Sequence, residues 1–217
     1  MFSYKNFLLL ITFISGAVVM GIELVGSRVL SPYFGNSIFV WGSLISVFMG
    51  GLSLGYYYGG IYSDKNPRLT KLATVMIISS LLLLITPLFG KNINEFISSL
   101  NMDVRYATLL SSMILFFVPI AGLGVVSPYI VKMSTNRLEN IGMSSGSVYS
   151  ISTLGSIVGT ILTSFYLISI IGVKSIFFTY SGVLITLSII MIIVDKLRVS
   201  EVHDHSEDNI VYMKTGK

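Results

Sequence analysis

Apolar residues fill six long stretches of the chain, and polar residues gather between them. The stretches run from about Asn6 to Leu30, Ser37 to Ile61, Leu72 to Gly90, Tyr106 to Val126, Ser147 to Ile171 and Ile176 to Val194. Each comes close to the 20 or so apolar residues that a helix needs to cross a bilayer. None keeps the two-residue alternation of a lipid-facing β-strand. A bilayer satisfies no backbone polar groups, so the pattern predicts spanning α-helices. The expected architecture is an all-α integral membrane protein. Six transmembrane helices occupy residues 1–195, and a polar, flexible cytoplasmic tail occupies 196–217.

The connections are short. Pro32 and Gly35 turn the chain between the first two spans, and Tyr62 to Lys71 is a polar, charged loop. Lys91 to Arg105 is the longest connection, with room for an interfacial helix carrying Ile93, Phe96, Ile97 and Leu100 on one side. Pro87, Pro119 and Pro128 are expected to kink or end the third and fourth helices. The apolar run after Lys5 reads as a span rather than a cleaved leader, because it exceeds twenty residues and lacks a small-residue cleavage site.

Composition removes the soluble classes. Of 217 residues, 53% are hydrophobic and only 11% charged, less than half the charge of a typical soluble domain. The net charge of +4 is scattered, so no basic stripe suits a nucleic acid. Cysteine is absent, which removes disulfides, thiolate metal sites and thiol nucleophiles. No cofactor is expected. His203, Asp204, His205, Glu207 and Asp208 read as a solvated tail rather than a metal site.

Lys and Arg set the orientation. Lys5, Lys65, Arg68, Lys71, Lys132, Arg137, Lys196, Arg198, Lys214 and Lys217 fall on one side. Only Lys91, Arg105 and Lys174 fall on the other. The first side is the cytoplasmic one, so both termini are cytoplasmic. Labels at positions 65 and 135 should then be cytoplasmic, and one at 94 external.

Within the spans, Glu23 stands out. An acidic group there costs several kcal/mol unless it is paired, hydrated or protonated. Two readings are open: a carboxylate that binds a cation or a proton, and a structural carboxylate capped by hydrogen bonds. Trp41, Tyr149 and Ser152 are candidate neighbours. Arg28 lies about 140° around the same helix, too far for a direct pair. It either snorkels to the interface or takes a gating role. Asp64 and Arg68, in the loop from Gly60, can tie helix ends together by charge.

Gly51, Gly55 and Gly59 recur every fourth residue on the second helix, and Gly155 and Gly159 do so on the fifth. Such faces permit close helix packing. Gly122-Leu-Gly124 lies inside a span without a preceding strand, so it is not a phosphate loop.

Three stretches together carry a resemblance. They are Met20 to Gly42, with Gly-Ile-Glu-Leu-Val-Gly-Ser-Arg at 21–28; Gly50 to Asp64; and Ser147 to Phe165. The chain resembles the membrane domain of spermidine synthase-like membrane proteins, the fused major facilitator/spermidine synthase family. The Gly60–Arg68 loop is also similar to the signature loop of major facilitator transporters, without its full basic run. The resemblance implies a half-major-facilitator-like bundle that completes twelve helices as a parallel homodimer in the cell membrane. It also implies a small cationic or polyamine-related solute. The family's soluble aminopropyltransferase domain has no counterpart in this sequence, so no enzymatic activity is expected. The alternative is a non-transporting membrane module that recruits a separately encoded synthase-like enzyme.

Overall fold

The computed structural model describes residues 4–65, 67–135 and 141–215. Helix α1 spans Tyr4–Phe34. Gly35 turns the chain with a φ of 78°, a conformation that costs a glycine least. Its N–H donates to the Ser31 carbonyl. Helix α2 follows over Ile38–Asp64, α3 over Leu69–Leu83 and α4 over Ile85–Ser99. Helix α5 covers Val104–Ser134 and α6 covers Ile141–Ile170. Gly172, with a φ of 75°, opens α7, which runs over Gly172–Thr215. Segment 196–217, set apart by composition as a polar tail, therefore carries the helix on as far as Thr215. Arg137 and Lys217, both used in the charge count, lie outside the described residues, as do the side chains of His203, Asp204, His205, Glu207 and Asp208.

Five helices are long and apolar enough to cross a membrane among the described residues, and six spans result if α3 and α4 count as one. The chain is thus a multi-pass helical membrane protein. Large apolar side chains such as Met49, Leu88, Phe165 and Ile193 point outward, which a bilayer tolerates and water does not.

The segment expected as the third span departs from its expected shape. It bends by 42° at Leu84, and much of the presumed loop after Gly90 is helix α4. Proline explains the bend. Pro87 offers no N–H to the Leu83 carbonyl, and its ring crowds that turn. The helix tightens there, with Leu84 N–H on the Leu81 carbonyl. The other two prolines act alike. Pro119 follows a π turn over Met113–Phe117, and Pro128 follows a tight turn in which Val125 N–H bonds the Gly122 carbonyl. Each break accommodates the bond that the proline cannot make.

Three pairings dominate the packing. Helix α1 lies along α6, α2 along the second half of α5, and α3 along α7. The first two pairs are parallel and the third is antiparallel. With α3–α4 counted as one span, exchanging the first three spans for the last three turns α1·α6 into α5·α2 and leaves α3·α7 unchanged. Lipid is as apolar as leucine, so close fit rather than water exclusion holds such pairs together. Glycine supplies the fit. A Cβ on Gly59 would lie 2.9 Å from both Pro128 Cγ and Val125 Cα, and one on Gly51 would lie 3.1 Å from the Phe117 carbonyl oxygen. Gly155 and Gly159 meet the backbone of Phe13 and Ala17 on α1. Phe48, Phe116 and Phe177 join α2, α5 and α7 across the core, with ring centroids 5.5 and 6.3 Å apart.

Candidate functional site

Two places concentrate polar chemistry in this apolar frame. The first is the strip of α1 around Glu23. Two turns earlier, Gly16 faces α6, where the Ser152 carbonyl meets it and Ser156 Oγ donates to the Gly16 carbonyl at 3.2 Å. Seven residues bring the helix back to within about 20°, so Glu23 continues the strip that faces α6. One turn later, Gly26 faces Leu44 of α2 and Phe116 of α5. Glu23 therefore sits between the α6 side and the α2 side. It is half-buried and, among the described residues, makes no hydrogen bond or ion pair.

None of the neighbours named from sequence hydrogen-bonds to it among the described residues. Trp41 is half-buried and its indole makes no hydrogen bond among the described residues. Tyr149 is 46% exposed and lies within electrostatic reach of the Tyr56 phenol on α2. Ser152 uses its carbonyl against α1 and accepts from Ser156 Oγ at 3.1 Å. These groups flank an open face: only 17% of the most apolar stretch of α6 is buried, against 56% for α1. Arg28 is exposed at the far end of α1, away from the Asp64–Arg68 loop.

The second place is that loop. Asp64, at the end of α2, accepts from Lys132 Nζ of α5 at 2.7 Å. Tyr129, fully buried, accepts from the Arg68 backbone N–H at 2.9 Å and donates to the Arg68 carbonyl at 3.1 Å. Thus Arg68 contributes its backbone to the lock. Asp195 of α7 caps the start of α3 by accepting from Thr70 Oγ1 at 2.5 Å and from Thr70 N–H at 3.2 Å, placing negative charge at a helix N-terminus. Arg198 lies 3.6 Å over the Tyr4 ring. Helices α1, α2, α3, α5 and α7 are thereby tied at one end of the bundle.

Comparison adds no identity. No family model, curated protein or solved structure matches the chain. Among the described residues, no group of three His, Asp or Glu side chains could hold a metal.

Sequence reading singled out Asp64 and Arg68 but missed Tyr129, Lys132, Thr70 and Asp195. Thr70 and Asp195 are 125 residues apart, so no local spacing connects them. It also missed Asn94. That side chain is buried, donates to the Val29 carbonyl at 3.4 Å and accepts from Ser111.

The parts of the lock differ in worth. Asp64 and Lys132 are 67% and 50% exposed, and such pairs contribute about 0.2–1 kcal/mol. Tyr129→Phe deletes two part-buried hydrogen bonds from a buried side chain and should cost about 1–2 kcal/mol. Thermal unfolding in detergent should therefore rank Tyr129→Phe as more damaging than Asp64→Asn. The opposite ranking would place the strength of this lock in its surface ion pair.

Proposed function

We propose that the chain is half of a transporter, built like one six-helix half of a major facilitator and completed by a second copy in parallel. Such halves contain two three-helix units of inverted topology. The packing pattern supports this reading, since exchanging the two triplets preserves it. The loop lock between α2, α3, α5 and α7 supports it too, because rocking halves need their helix ends coupled. Charge distribution supports both termini being cytoplasmic in the cell membrane.

The observation that carries the transport reading is Glu23: a half-buried carboxylate, unpartnered among the described residues, beside the open α2–α6 face. A membrane-embedded charge of this kind marks a solute or proton pathway. The second copy would cover the open face and place two Glu23 carboxylates around one path. A small cation is the matching solute, and the resemblance noted above narrows the class to polyamine-like amines.

The test is uptake of labelled putrescine and spermidine into proteoliposomes at controlled pH. Saturable uptake by wild type is expected. Absence of uptake with all amines tried, together with a strictly monomeric protein in nanodiscs, would overturn the half-transporter reading. Topology is checked separately by cysteine accessibility. Positions 65 and 135 should label from the cytoplasm. Asn94 is buried, so the external reporter belongs at exposed Asn101.

A further inference from the structure

The end of the bundle opposite the loop lock holds few cations. Four basic residues fall there or just inside it: Arg28, Lys91, Arg105 and Lys174. Chance would scatter them around the rim. Instead, Arg28 of α1, Lys91 of α4 and Lys174 of α7 line one pocket of about 200 Å³. A water molecule needs only about 10–15 Å³ of such space, so the pocket admits a polyatomic group. Three like charges around one cavity repel each other, and an occupant of opposite sign relieves that cost.

Little in the protein offsets the charge. Lys91 has one distant, exposed ion pair, 3.7 Å from Glu95. Arg28 and Lys174 make no ion pair among the described residues. Further features point the same way. Val173 and Lys174 belong to the first turn of α7, whose free N–H groups and dipole favour an anion. Thr86 lines the pocket, and its hydroxyl is buried without a hydrogen-bond partner. The amide of Asn94, held by Val29 and Ser111, forms a fixed wall. Val29 and Phe177 are among the apolar side chains of the lining, which suits a group attached to a hydrocarbon body.

The geometry points to a binding site for a phosphate or phosphate-ester group at this end of the bundle, with Arg28 and Lys174 as its principal cations. Arg28 supplies the planar fork that matches phosphate oxygens, and the lysines supply point charges. Sources of this chemistry include an anionic lipid headgroup and a free anion. The site is separate from the Glu23 face, so its fate does not depend on the transport reading.

Two probes distinguish the sources. Native mass spectrometry of the full chain from nanodiscs compares phosphatidylglycerol with phosphatidylcholine. Thermal unfolding in detergent compares inorganic phosphate with chloride at equal ionic strength. Preferential retention of phosphatidylglycerol, without a phosphate effect, would identify a lipid headgroup site. Stabilisation by inorganic phosphate would identify a free-anion site. In either case the double variant Arg28→Gln, Lys174→Gln should weaken binding roughly tenfold or more, since each cation near the surface contributes to anion attraction. Arg105→Gln should leave binding unchanged, because Arg105 lies over the Phe39 ring and outside the pocket. Should the double variant fail to fold, Lys174→Gln alone, and Arg28→Lys with Lys174→Arg as the charge-preserving pair, carry the test. Equal binding by wild type and the charge-removing variants, or no preference for either phosphate probe, would overturn the site.

Discussion

Replacing Gly55 by leucine is expected to be among the most damaging single substitutions in the spans. A Cβ at this position would meet the Ala121 carbonyl oxygen and would stand 2.7 Å from the Gly124 Cα. Both obstacles are backbone, so no rotamer change clears them. Helices α2 and α5 must separate along a face they share from Gly51 to Gly59. Overpacking typically costs about 1–3 kcal/mol, and a backbone collision on a parallel helix pair belongs at the upper end. The measurement is thermal unfolding in detergent, where the midpoint should fall by several degrees. Gly60→Leu is the internal control, because a Cβ there meets nothing within 4 Å. Equal effects at 55 and 60 would show that helix propensity, rather than the α2–α5 contact, sets the cost.

Much of this frame is legible in the sequence, because lipid imposes simple rules. Length and hydropathy locate the helices, and four-residue spacing of glycine marks faces fit for close contact. Which helix each face meets is another matter. Nothing near Gly155 announces Phe13 and Ala17 as its partners, and nothing near Thr70 announces Asp195. Such contacts are set by the three-dimensional pairing, which no local period encodes. The third span misled for a different reason. Apolar content fades after Gly90, so composition suggests a loop, yet α4 continues to Ser99 with a buried face of Thr86, Gly90, Asn94 and Ile97. Two of those four are polar and one is glycine, so hydropathy could not find the face. Asn94 is buried because Val29 and Ser111 satisfy it, and that requires knowing its neighbours.

Glu23 obeys the same rule in reverse. Its oddity is plain in the sequence, while its lack of a partner is plain only in the structure. A carboxylate held as a structural cap would have hydrogen-bond donors around it, and removing it would strand them. Glu23 makes no hydrogen bond among the described residues. Glu23→Gln keeps the shape and removes the ionisable group, which is costly within a bilayer. Stability should therefore hold or rise. Transport should move the opposite way. Loss of one partner from a desolvated charge pair typically costs about 2–5 kcal/mol, so uptake of a cationic solute should drop by roughly 30-fold or more. A site that lowers stability in exchange for function shows this opposed pair of effects. Parallel thermal unfolding and proteoliposome uptake on wild type and Glu23→Gln read both quantities. A lower unfolding midpoint with unchanged uptake would return Glu23 to a structural role and remove the cation path built on it.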